Sequence, residues 1–438
     1  MKNIIETIPL SCTRHCEKRS NLRIPIVSRD CFVVPPRNQQ SATKGADDDG
    51  GIYFTSLSRI IPKIIYATIL SLCLLTACRD DEEIFKPEVI PVAPPDNTAE
   101  ILGFYLLNEG NMGTNKSTLD YFDFATGEYH RNIYADANPG VPKELGDVGN
   151  DIQIYGSKLY AVINCSNKIE VMDKFTTRRL GQIDIPNCRY ICFHEGYAYI
   201  TSYAGPVEIN PNYEQRGYVA KVDTASLQIV AKCLVGFQPD ELEIVNGKIY
   251  VANSGGYMFP NYESTVSVID ISSFTETKRI EVDVNLHRLE ADRHGVVWVS
   301  SRGDYFGASS RLYWIDTKTD TYGGMLDVAV SEMTINGDSL YLYSTEFSQV
   351  TFEEIVTYGI VDVKTKQIVT RNFLAGGAEM EIAKPYGIMV NPQNKDIYLT
   401  DAANHVYPGM LFCFDQHGNK KWEVRTGDIP AHLAILYE

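Results

Sequence analysis

Residues 241–270 read ELEIVNGKIYVANSGGYMFPNYESTVSVID, and this run decides the fold. Glu241 to Val245 alternates polar and apolar side chains, the period of a half-buried strand, and Asn246-Gly247 is a two-residue hairpin turn into a second β-rich run, Lys248 to Asn253. After a loop rich in aromatic residues, Thr265 to Asp270 reads as a third strand and Lys278 to Val282 as a fourth. Four short antiparallel strands cannot bury both of their faces alone and need neighbours of the same kind.

The neighbours are in the sequence. Two columns recur from residue 101 onward. The first is an aromatic residue inside a β-rich run, at Tyr105, Tyr160, Tyr199, Tyr250, Trp298, Tyr341 and Tyr398. The second is an aspartate closing a later strand, at Asp123, Asp173, Asp223, Asp270, Asp316, Asp362 and Asp415, and its successive spacings are 50, 50, 47, 46, 46 and 53 residues. A period of this length with several strands per unit predicts an all-β, seven-bladed β-propeller over residues 101–438, and no stretch there has a helical period. Six of the aspartates are followed three residues later by Thr or Ser (Thr126, Thr176, Ser226, Ser273, Thr319, Thr365), the seventh by Gly418. Such a pair suits a turn held by side-chain bonds to backbone amides, so the column is assigned to structure and not to catalysis. The first repeat lacks an innermost strand and the chain ends on an orphan one, His432 to Leu436, so the C-terminal strand is expected to complete the first blade and leave no open edge.

The chain of 438 residues carries a formal net charge of −16, and residues 78–438 alone hold 30 basic and 50 acidic residues. That acidity, without a basic stripe, excludes nucleic acid as a natural partner. Upstream of the repeats, Ile64 to Ala77 is an apolar stretch preceded by Arg59 and Lys63, too short for a comfortable membrane span and of the length of a secretory signal core. It ends Leu75-Thr76-Ala77-Cys78, which resembles a lipobox and implies a signal peptide over residues 56–77 with Cys78 as the lipidated first residue. Residues 1–55 read as an upstream extension outside the fold. The run Asp80-Asp81-Glu82-Glu83 resembles the surface-export signal of gut-bacterial lipoproteins, and the proline-bearing stretch to Glu100 reads as an extended spacer, so that residues 78–100 form a lipidated tether. Cys165, Cys188, Cys192, Cys233 and Cys413 form an odd set without zinc-ribbon or redox spacing and are expected to be small apolar core residues.

The runs IYVANS and VSVIDISS resemble YVTN-type propellers, and the likeness covers residues 101–438. Together with the lipobox, the chain resembles the surface propeller lipoproteins that sit on TonB-dependent transporters, whose best-understood members capture cobalamin. That resemblance implies an outer-membrane, lipid-anchored, cell-surface protein that takes up a nutrient, cobalamin being the specific candidate, and passes it to such a transporter.

The innermost strands open on Asp151, Arg189, Glu241, Arg288, Glu332, Tyr386 and His432. Acids and arginines alternate, so this ring is expected to pair with itself; neither a metal nor another cofactor is expected. No GxSxG, Walker, HExxH or cysteine–histidine motif follows Cys78, and no catalytic residue is assigned. The loops at one end of the channel add rigid aromatic faces and amides, and the predicted ligand-binding set is Arg189, Tyr203, Glu241, Asn253, Tyr257, Arg288, Arg302, Phe347, Tyr386, Tyr407 and His432. A metal-dependent propeller hydrolase or lyase, or a protein-binding scaffold, remains as an alternative.

Overall fold

The computed structural model describes residues 86–96, 100–347 and 354–438. Residues 1–55, the signal segment, Cys78 and the acidic run Asp80 to Glu83 lie outside the described residues. Among those described, six sheets have four strands and one has five. Each four-stranded sheet runs in chain order from the axis outward, as in blade 4: Pro239–Val245, Lys248–Asn253, Thr265–Asp270, Thr275–Glu281. The sequence placed these strands correctly apart from their ends. The innermost gains Pro239 and Asp240, and the outermost starts three residues early.

Blade 1 closes the ring. Pro430–Tyr437 pairs antiparallel with Ile101–Asn108, Ile435 facing Phe104 and Leu433 facing Leu106, and so supplies the missing innermost strand. The tether departs from the expected spacer. Glu88–Pro91 is a fifth, outermost strand of the same blade, paired with Glu128–Arg131, while Val92 N and Ala93 N both donate to Gly127 O. Pro91 is tolerated because it ends an edge strand, where a missing N–H breaks no ladder. A five-residue helix, Ile133–Ala137, lies in the connection to blade 2, too short for a sequence period to register.

Every seam between blades holds a hydrophobic cluster, and that between blades 7 and 1 adds a smaller one of Tyr386, Ala402, Ile429 and Ala431. Tyr160, Val162, Ile191 and Ile200 fill that between blades 2 and 3, and Tyr250, Val268, Leu289 and Val299 that between blades 4 and 5. At the seam of blades 7 and 1, Phe104 meets Tyr398 at 4.7 Å and Phe122 meets Trp422 at 5.0 Å between ring centroids. The aromatic column belongs to these seams: Tyr105 donates to Lys174 O at 2.5 Å and Tyr250 to Asp320 Oδ1 at 2.6 Å, in each case a turn of the next blade. The aspartate column holds the outer turns as expected. Asp270 Oδ1 accepts from Ser273 N at 2.8 Å, and Asp362 Oδ1 from Thr365 N at 2.7 Å. None of the five described cysteines forms a disulfide; Cys188, Cys233 and Cys413 are buried, Cys165 and Cys192 half-buried.

The innermost strands begin irregularly, and this positions the site. A left-handed residue precedes them in blades 1 to 5, at Ile429 (φ 54°), Val148 (φ 61°), Asn187 (φ 45°), Gln238 (φ 47°) and Asn285 (φ 55°). Their pairing then slips: between Pro239 and Leu242 in blade 4, and between Leu286 and Leu289 in blade 5. A bulge of this kind re-aims consecutive side chains that a regular strand would send to opposite faces.

Candidate functional site

The loops between second and third strands, and the connections between blades, converge at one end of the propeller, here called the loop face; the aspartate turns mark the opposite, turn face. At the loop face the bulge of blade 4 brings Asp240 and Glu241 into two separate networks. Asp240 is fully buried. Its Oδ1 accepts from Tyr203 Oη at 2.7 Å and from Arg189 Nε at 3.4 Å, and its Oδ2 from Arg302 Nη1 at 2.9 Å. The Arg189 guanidinium lies 4.9 Å from the Tyr203 ring centroid, and Tyr203 meets Tyr257 edge-on at 6.3 Å. Burial pushes the Asp240 carboxyl up while the Arg189 charge pulls it back, and burial holds the Tyr203 phenol well above its ordinary range.

The second network runs along neighbouring blades 3 to 6. Arg288 reaches Glu241 Oε1 at 3.4 Å and Glu332 Oε2 at 2.7 Å, and its guanidinium lies 4.9 Å from the Tyr190 ring. Glu241 Oε2 accepts Leu289 N at 2.8 Å, just as Asp151 Oδ2 accepts Ile191 N at 3.0 Å. Among the described residues no guanidinium is within bonding distance of Asp151, and burial raises its carboxyl to about 7. Beneath lies a cavity of about 160 Å³ lined by Asp151, Gln153, Tyr190, Cys192, Glu241 and Glu243. A third network joins Tyr386 Oη to Glu109 Oε2 at 3.0 Å and His432 Nε2 to Glu109 Oε1 at 3.3 Å.

The predicted residues are thus distributed over three networks and a rim. Arg189, Tyr203, Tyr257 and Arg302 gather around Asp240, Glu241 pairs with Arg288, and Tyr386 and His432 share Glu109. Asn253 does not join them. Its Oδ1 accepts Gly236 N at 3.1 Å and its Nδ2 donates to Thr265 Oγ1 at 3.0 Å and Ser267 Oγ at 2.9 Å, so its amide is used inside blade 4. Tyr407 is 61% exposed on blade 7, and Phe347 ends the strand Ser339–Phe347, its side chain outside the described residues. Asp240 and Glu109, the two hubs, were missed: Asp240 is turned inward by the irregular start of its strand, and Glu109 stands one residue past the end of Ile101–Asn108, its N–H donating to Ile429 O. The rim on blades 4 and 5 is apolar. Phe306, 71% exposed, lies 5.2 Å from Phe259, which meets Tyr262 at 6.1 Å.

Chemically, most of the floor's charges are paired with one another and held by buried aromatic rings, Asp151 being held by the backbone instead. Tyr190 Oη lies 3.1 Å from His287 Nε2, both buried, and Tyr386 meets His405 edge-on at 5.5 Å. No group of three or more His, Cys, Asp or Glu is arranged to hold a metal ion among the described residues.

A family model described as "Domain of unknown function (DUF5074)" matches residues 102–428. No curated protein matches the chain. Among solved structures, a quinonprotein alcohol dehydrogenase-like protein from Bacteroides thetaiotaomicron VPI-5482 is similar at 15% identity and a TM-score of 0.54, over 78% of this chain and 79% of that one. A putative 6-phosphogluconolactonase from Bacteroides fragilis NCTC 9343 is similar at 11% identity and a TM-score of 0.55, over 78% of this chain and 99% of the other. At such identities the likeness extends to the propeller fold alone.

Proposed function

We propose that this chain, which belongs to the DUF5074 family of domains of unknown function, is a capture protein that binds an amphipathic ligand on its loop face. The observation that carries this reading is the pairing of an aromatic rim, exposed Phe306 against half-buried Phe259, with a floor in which Asp240, Glu241 and Glu332 are already paired with arginines. A preordered floor costs little to bind against, and exposed rings supply contact area at small entropic cost. Of the carboxylates at this mouth, Asp240, Glu241 and Glu332 are each engaged by a guanidinium, and Asp151, with its raised carboxyl held by Ile191 N, is the residue on which a hydrolytic reading would have to rest.

The lipobox-like end of the signal segment supports anchoring through Cys78 in an outer membrane, with the acidic run directing the protein to the cell surface. The resemblance read in the sequence makes cobalamin the first ligand to try and a TonB-dependent transporter the partner that receives it. Titration calorimetry of the purified protein with cobalamin tests this. Phe306→Ala is expected to weaken binding by more than about 1 kcal/mol, the usual threshold of a binding hot spot, and Lys278→Ala to leave it unchanged. Absence of heat, together with absence of any corrinoid in the protein purified from its native cells, would rule out cobalamin.

A further inference from the structure

The direction of the fifth strand in blade 1 says from which side the chain arrives. Glu88 faces Arg131 and Pro91 faces Glu128. The strand Glu128–Arg131 leaves the Asp123 turn, on the turn face, and ends at Arg131 on the loop face. Glu88 is therefore at the loop face, where its carboxylate accepts from Arg131 Nη1 at 2.9 Å. From there the segment descends the outer edge of the blade. It is fixed at the turn face by the bonds of Val92 and Ala93 to Gly127 O and of Asp96 N to Phe124 O, and Ile101 then starts upward.

This segment is built into the fold. Ile90, Val92 and Ala93 pack on the hydrophobic cluster between blades 7 and 1. Gly127 has φ +70°, and a Cβ there would lie 2.0 Å from Ala93 O, so the turn admits the strap only because it carries glycine.

We propose that the strap orients the propeller on its anchor, with the loop face and its binding rim turned toward the membrane. The proposal rests on the reading of Cys78 as the lipidated residue. Nine residues lie between Cys78 and Glu88, and the span from one to the other, at about 3.3–3.6 Å per residue step, reaches at most roughly 35 Å. Had the chain entered at the turn face, the same length would present the turns to the lipid. Because it enters at the loop face, ligand leaving the rim is released into the space between propeller and membrane, where a membrane-embedded acceptor opens.

The test uses the full lipidated chain in vesicles whose headgroups carry an acceptor dye, with a donor placed through a non-natural residue at one of two exposed positions of blade 5. Ser309 lies in its loop on the loop face and Lys318 in its turn on the turn face. Flotation is measured first: a chain that does not float has no anchor, and both that reading and this proposal fall. A floating chain is expected to show higher energy transfer from position 309 than from 318, with both falling when a long glycine–serine insert separates Phe85 from Lys86. Equal transfer, or higher transfer from 318, overturns the orientation and leaves the anchor standing.

Discussion

Glu243 and Glu290 occupy neighbouring innermost strands, below the level at which Arg288 pairs with Glu241 and Glu332. Burial and the nearby Glu241 raise the Glu243 carboxyl, and burial with Glu243 beside it raises Glu290 well above its ordinary value of 4.5. A raised acid binds more protons folded than unfolded, so its contribution to stability is complete below the unfolded value and is lost as pH climbs through the folded one. The melting midpoint is therefore expected to fall from mildly acidic to mildly alkaline pH. Glu243→Gln with Glu290→Gln should flatten that fall and make the protein the more stable of the two above neutrality, by about 1–3 kcal/mol. A calorimetric series across pH measures it, and a parent stability that rises over the same range would contradict it. Asp240 shows the opposite case. Removing it leaves Arg189 and Arg302 buried without their shared carboxylate, and Asp240→Ala is expected to cost about 3–5 kcal/mol in urea denaturation. Its importance was not legible beforehand, since Pro239-Asp240-Glu241 offers two adjacent acids and nothing in their spacing reveals the bulge that sends both toward the mouth. Arg288 was legible as a partner of the ring acids, Glu241 and Glu332, whereas Arg189 pairs with Asp240, outside the alternating ring.

At the scale of the element, what repeats could be read and what occurs once could not. The aspartate turns were visible because seven copies fall at one position, and the bonds to Ser273 and Thr365 give them their role. Asp270→Ala should lower the melting midpoint by a few degrees without changing ligand affinity, as a turn restraint should. The strap Glu88–Pro91 has no counterpart in the other blades, and a proline among four residues resembles a linker more than a strand. Starting the chain at Glu100 would bare the edge of Glu128–Arg131 and part of the cluster around Phe122. Such a protein is expected to fold but to melt lower than one starting at Lys86. Removing Pro430–Tyr437 at the other end is far more severe, because Ile101–Asn108 loses its inner partner and the seams on both sides open. A truncation at Ile429 that melts with the full chain would refute this distinction between strap and closing strand.

Over the whole molecule, seven seams of similar composition make stability a shared property of the ring, so that a defect in one seam is felt as loss of closure. Both ends of the described chain meet in blade 1, the strap outermost and Pro430–Tyr437 innermost. The consequence is one of timing. As the chain is synthesised from its N-terminus, the first blade to emerge is the last to be finished, and until the final residues appear no arrangement of the preceding ones closes the circle. A polypeptide stalled after Ile429 should remain open to protease while one residue run further on, past Tyr437, becomes resistant. The fold thereby keeps the lengthening chain open, and locks it only once Pro430–Tyr437 has been delivered.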